Sequence, residues 1–177
     1  LKNAAKAKKP KARVSSKKIL ASSNLNKHHI TLIGASTGGT EAIRTLLESL
    51  PKEIPPILIV QHIPAVFSKA FADRLNSLLP FEVKEAVNNE EVTPNKVLVA
   101  PGGLQMGIKV VGDKTLVQIT EDPLMNRHRP SVDYLFKSAF EAKLQNATAV
   151  VLTGMGSDGS KEIAKLKSIG VRTIAQD

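Results

Sequence analysis

An open α/β fold, doubly wound around a mainly parallel sheet with one antiparallel hairpin, is predicted by three features of the sequence. Short apolar runs alternate with helical patterns from Ile30 onward. Several of the runs are almost wholly apolar, as strands buried on both faces must be. Two further runs are separated only by a tight Gly-Asp-Lys turn. The strands fall at 30–33 (Ile-Thr-Leu-Ile), 57–60 (Ile-Leu-Ile-Val), 82–86, 97–100 (Val-Leu-Val-Ala), 148–152 and 171–175. Between them, residues 39–50 set Ala42, Ile43, Leu46, Leu47 and Leu50 at helical spacing, and residues 66–79 do the same with Phe67, Ala70, Phe71, Leu75 and Leu78. Residues 131–144 and 159–169 continue the pattern. Residues 107–111 and 115–119, flanking Gly112-Asp113-Lys114, are the hairpin.

Charge divides the chain in two. The 177 residues carry 25 Lys plus Arg against 16 Asp plus Glu, a formal net charge of +9. Residues 1–29 hold nine of the basic side chains and no acidic one, so residues 30–177 are balanced, with 16 of each. The first 29 residues lack aromatics and any sustained apolar period, and are expected to be a basic, flexible linker ahead of one domain at 30–177. A Lys-rich arm also suits nucleic acid, but single-strand binding usually adds aromatic stacking platforms, which this arm lacks; the linker reading, with no nucleic-acid partner, is preferred. The absence of cysteine removes disulfides, thiolate nucleophiles and Cys-based zinc sites, and fits a reducing compartment. The longest apolar run, Ile54 to Val60, is far short of the roughly 20 residues that span a bilayer, and no signal-peptide core follows the basic start. A cytoplasmic protein without membrane insertion is expected.

In an open parallel sheet, ligands bind beyond the carboxyl ends of the strands. Gly34-Ala35-Ser36-Thr37-Gly38-Gly39 follows the first strand, Gln61-His62-Ile63-Pro64 the second, Pro101-Gly102-Gly103 the fourth, and Thr153-Gly154-Met155-Gly156-Ser157-Asp158-Gly159 the fifth. Gly34-x-Ser36-x-Gly38 between strand and helix has the form of a nucleophile elbow, with the Thr37 amide beside a developing oxyanion. The same turn also suits a phosphate cradle, although the Walker lysine is missing, and both readings stay open on the pattern alone. His62 and His128 are the two histidines of the body. His62 follows the strand next in sequence to the serine strand, where a proton acceptor is needed; it also fits a structural histidine. His128 lies between Arg127 and Arg129, far from any strand end, and is assigned a surface or substrate-contact role. Asp158 stands before a helical run, where it fits either an N-cap or the third member of a triad orienting His62.

Five segments in order carry a family resemblance. They are Ile33-Gly34-Ala35-Ser36-Thr37-Gly38-Gly39-Thr40-Glu41-Ala42-Ile43, Gln61-His62-Ile63-Pro64, Val99-Ala100-Pro101-Gly102-Gly103, Asn126-Arg127-His128-Arg129-Pro130-Ser131-Val132-Asp133 and Leu152-Thr153-Gly154-Met155-Gly156-Ser157-Asp158-Gly159. Through them nearly all of residues 30–177 resembles the catalytic domain of the bacterial chemotaxis methylesterase family, CheB. The resemblance implies a serine carboxylic-ester hydrolase that removes methyl groups from glutamyl methyl esters on chemoreceptors, releases methanol and, in some members, deamidates receptor glutamines. It implies Ser36 as nucleophile, His62 as general base and acid, Asp158 as the residue orienting His62, and the Thr37 and Met155 backbone amides as oxyanion donors, with no cofactor and no metal. Methyl-accepting chemoreceptors are the implied partners, together with a phosphorylatable receiver domain N-terminal to the linker; Arg129 is expected to meet acidic receptor surfaces. Where many members carry His two residues beyond the Pro-Gly-Gly turn, this chain has Gln105. The family pattern runs on past the stretch resembling Val171–Asp177, so the C-terminal end of the domain is expected to be incomplete.

Overall fold

A computed structural model of the chain describes residues 29–176; the arm at 1–28 lies outside them. Six parallel strands form the sheet: β1 (Ile30–Ala35), β2 (Ile57–Gln61), β3 (Glu82–Glu85), β4 (Lys96–Val99), β7 (Ala147–Val151) and β8 (Arg172–Ala175), in the spatial order β3-β4-β2-β1-β7-β8. The hairpin is β5 (Gln105–Val111) and β6 (Lys114–Thr120), paired antiparallel as a separate two-stranded sheet. The helices are α1 (Gly39–Glu48), α2 (Ala65–Leu78), α3 (Val132–Glu141) and α4 (Ser160–Ser168). Every expected element is present. The differences are confined to ends, the largest being the hairpin strands, which are longer, and α3, which stops at Glu141.

Side-chain alternation explains why the strands read as continuous apolar runs. Ile30 and Leu32 of β1, Leu58 and Val60 of β2, Leu98 of β4 and Ala147 and Ala149 of β7 pack with Leu135, Phe136 and Ala139 of α3, Leu166 of α4, and Met106, Ile108 and Val117 of the hairpin. The intervening residues Ile33, Ala35, Ile57, Ile59, Val97, Val99 and Val150 pack on the other face with Ile43 and Leu47 of α1 and Ala72 and Leu75 of α2. Both faces of the sheet are therefore dry, and each fully buried Leu or Phe contributes about 1.5–3 kcal/mol of apolar burial. His29 closes the amino end of the described body: its ring nitrogens bond Asn146 Oδ1 at 3.0 Å and Thr148 Oγ1 at 2.9 Å.

The strand order reverses beside β1, which pairs with β2 on one side and β7 on the other. That is the topological switch point, where an open sheet leaves a crevice at its carboxyl edge. The segments after β1, β2 and β7 all end there.

Candidate active site

Ser36 is the first residue beyond β1, held by its amide donating to Thr153 O at 3.0 Å. The two turns around it each need a glycine, for different reasons. Gly38 has φ 77°, a conformation costly for other residues, and acts as N-cap of α1. Gly154, on the facing turn, leaves no room for more, since a Cβ there would stand 2.6 Å from Ser36 Cβ. Ser36 thus sits between two tight turns and lines an open cleft of about 360 Å³ with His62, Gly154, Met155 and Asp158.

His62 follows β2, its amide donating to Ala35 O. Its Nδ1 lies 3.0 Å from Ser36 Oγ and its Nε2 lies 2.8 Å from Asp158 Oδ2. Because the carboxylate is an acceptor only, the ring proton belongs on Nε2, and the Nδ1 lone pair faces the serine hydroxyl. The ring is turned relative to the familiar serine-protease arrangement, in which Nε2 meets the serine. Gln61, buried at the end of β2, donates from Nε2 to both Ser36 O at 2.9 Å and His62 O at 3.1 Å, tying the two backbones together.

Asp158 does not cap the helix that follows it. The N-cap of α4 is Gly159, with no side-chain cap. Asp158 instead reaches the start of α3, accepting from the Val132 amide at 2.7 Å and the Asp133 amide at 3.1 Å, and also from Ser131 Oγ and Asn126 Nδ2, each at 2.8 Å. The expectation of a cap on the following helix is not met, since Gly159 holds that position and Ser131 is the N-cap of α3, while the contact with His62 Nε2 is the geometry the triad reading requires. Burial alone would raise its pKa; hydrogen bonds from His62, Asn126, Ser131 and the Val132 amide outweigh burial and hold the carboxyl well below the usual range. Asp133 returns the favour, since its Oδ1 accepts from the Glu162 amide in the first turn of α4. Asn126 Nδ2 bridges the two carboxylates, 2.6 Å from Asp133 Oδ2. Close approach of α3 to the sheet makes this possible: a Cβ on Gly34 would lie 2.2 Å from Val132 Cγ1.

The structure therefore brings Ser36, His62 and Asp158 into one hydrogen-bonded chain. Thr37 follows Ser36 directly and Met155 lines the same cleft; both residues are exposed, and among the described residues neither amide donates to a protein acceptor. His128 is placed differently from its expectation. The segment 121–131 folds back over the rim and lays the His128 ring flat on His62. Arg129 turns inward, its Nη1 donating to Glu121 O at 2.9 Å and Asp122 O at 3.3 Å, so it stabilises this segment. Asn126, Ser131, Asp133 and Gln61 appear in the sequence motifs without an assigned part. No periodicity marks them; the packing of α3 against α4 and β1 brings Asn126, Ser131 and Asp133 to the Asp158 carboxylate or its neighbourhood, while Gln61 reaches only the Ser36 and His62 carbonyls.

A doubly wound parallel sheet with a Ser–His–Asp chain at its switch point places the molecule among α/β proteins built like serine hydrolases. Residues 31–177 match the family model described as CheB methylesterase, and the chain belongs to that family. It is 49% identical over 148 residues to a protein-glutamate methylesterase/protein-glutamine glutaminase of Xanthomonas campestris pv. campestris, covering 84% of this chain and 42% of the relative. The corresponding protein of Chromobacterium violaceum is 47% identical over the same shares. The crystal structure of the Thermotoga maritima CheB methylesterase catalytic domain superposes with a TM-score of 0.80 at 40% identity, covering 84% of this chain and 79% of that one. The chain thus spans less than half the length of these curated relatives. Among the described residues no helix is long and apolar enough to cross a membrane.

Proposed function

We propose that the chain hydrolyses glutamyl methyl esters on methyl-accepting chemoreceptors, with Ser36, His62 and Asp158 as the catalytic residues. The carrying observation is the alignment of Ser36 Oγ, His62 Nδ1, His62 Nε2 and Asp158 Oδ2 beside an open cleft. Ser36 Oγ attacks the ester carbonyl while His62 Nδ1 takes its proton. The resulting imidazolium is stabilised by Asp158, and the oxyanion by the Thr37 and Met155 amides. Collapse expels methoxide, which leaves as methanol with the proton from His62, and a glutamyl-Ser36 ester remains. Water activated by His62 then hydrolyses that ester, giving the receptor carboxylate and free Ser36. Attack on a glutamine carboxamide by the same route releases ammonia, which is the second activity in the relatives' names.

The partners in this reading are the receptors as protein substrates and a phosphorylatable receiver domain preceding the basic arm, acting in the cytoplasm. The phosphate-cradle alternative is weakened by hydrogen bonding. The Ser36 amide is committed to Thr153 O and the Gly39 amide to Ser36 O, so two donors of the turn are unavailable to an anion. Methanol release from methylated receptors by this chain and by Ser36→Ala tests the proposal. Equal release by both, or nucleotide binding in place of release, contradicts it.

A further inference from the structure

Gln105, where the family resemblance leads one to expect histidine, is the first residue of β5 and fully buried. Its Nε2 donates to Pro123 O at 3.0 Å and His128 O at 3.2 Å, and its Oε1 accepts from the Ser131 amide at 2.9 Å. All three partners lie in one segment, 123–131, whose own regular pairing is a single bridge between Met125 and His128. Asn126 and Arg127 within it have φ 52° and 70°, a conformation that residues other than glycine keep only when their surroundings impose it. The segment presents His128 to the face of His62, and Ser131 Oγ to Asp158 Oδ1.

We propose that Gln105 is a positioning residue for the esterase reaction: it pins the 123–131 segment so that His128 backs the His62 ring while Ser131 holds the Asp158 carboxylate in line with it. The inference rests on reading Ser36, His62 and Asp158 as the hydrolytic triad. The two edge hydrogen bonds of His62 fix its ring within its plane, and the stacked His128 ring blocks tilting out of that plane. Gln105 itself does not line the cleft, so it acts on the reaction only through these two neighbours. Misplacement of a reacting group by about 1 Å costs on the order of 100-fold in rate, so a loosened segment is read out in turnover. A histidine at this position offers one donor and one acceptor, and meets at most two of the three contacts.

The test uses the full chain with Gln105→Met, similar in length but without hydrogen bonds, and Gln105→His. Two rates are measured: methanol release from methylated receptors, giving kcat and KM, and phosphonylation of Ser36 by a fluorophosphonate, which needs an activated serine but no receptor. Gln105→Met is expected to lower kcat and the phosphonylation rate together, by roughly 30- to 100-fold, with KM changed less than about twofold, and Gln105→His to recover at least a tenth of the wild-type rate. A folded Gln105→Met with the wild-type phosphonylation rate, or a loss confined to KM, overturns the proposal. Should Gln105→Met fail to fold, His128→Ala and Ser131→Ala remove the two arms one at a time, and wild-type phosphonylation in both overturns it equally. A wild-type chain that is phosphonylated but releases no methanol contradicts the proposed substrate alone, and the positioning role is then judged on phosphonylation.

Discussion

The imidazole of His62 lies face to face with that of His128, the ring centroids 3.6 Å apart and the planes 12° from parallel. Two stacked imidazoles cannot both carry a proton cheaply, and the environment decides which one stays neutral. Burial lowers the pKa of His128, the neighbouring His62 lowers it further, and Asp158 opposes them. The shift favours the neutral form of His128, and it is His62, not His128, whose ring nitrogen lies 3.0 Å from Ser36 Oγ. His128 acts as an aromatic wall.

From this follows a test that separates shape from titration. His128→Phe keeps the stacked ring and is expected to retain kcat within about threefold, whereas His128→Gln loses about tenfold and His62→Gln about 10⁴-fold. Phosphonylation of Ser36 by a fluorophosphonate is expected to follow the same order, near the wild-type rate in His128→Phe and abolished in His62→Gln. A collapse of both rates in His128→Phe with near-wild-type rates in His62→Gln assigns the base to the wrong ring.

Ser36→Ala removes a hydroxyl that faces the cleft and leaves the Cβ that touches Gly154. Turnover is expected to fall by several powers of ten while thermal stability changes by no more than about 0.5 kcal/mol, because no cavity opens. Retained methanol release from a folded Ser36→Ala removes serine from the mechanism.

The strands and the rim were legible because both depend on local pattern. A strand buried on both faces must be apolar throughout, as in Ile57-Leu58-Ile59-Val60, and the residue that follows it must stand at the carboxyl edge. Ser36, His62 and Asp158 each follow such a run closely. His128 and Asn126 do not; they arrive through a segment without regular structure, whose course is set by Gln105 and Arg129. The bond from the Val132 amide to Asp158 joins residues 26 apart, and a partner of a helix's first turn is recognised in sequence only when it directly precedes that helix.

Removal of residues 1–28 is expected to leave kcat and KM unchanged. The described body begins at His29, whose bonds to Asn146 and Thr148 and whose neighbour Ile30 in β1 fix the amino end without help from the arm. Methanol release by the shortened chain checks this. A large rise in KM on shortening, widening as salt is lowered because the full chain's KM falls, would instead assign the nine basic residues to an anionic docking surface.

Asp158→Asn strikes folding and catalysis through the same atoms, and the two effects are separable by pH. Five donors converge on this carboxylate, from His62, Asn126, Ser131, Val132 and Asp133. An amide offers one acceptor oxygen and turns an NH₂ toward the remaining donors, so a loss of about 2–4 kcal/mol is expected at pH 7. The wild-type pKa is depressed in the folded state, below the unfolded value of about 3.9. The stabilisation is therefore complete above about pH 5 and is lost as pH falls through the acid range, so the stability gap between wild type and Asp158→Asn narrows on acidification. A gap that stays constant from pH 7 to 3 contradicts the depressed pKa. At pH 7 the variant amide donates to His62 Nε2 and moves the ring proton to Nδ1, where it faces Ser36 and blocks proton transfer. Turnover should fall by about 10⁴-fold, and His62→Gln combined with Asp158→Asn should be little worse than the more damaging single change, because residues acting on one step are not additive. Independent, multiplying losses in the double variant would mean that Asp158 serves the fold of α3 and not the His62 tautomer.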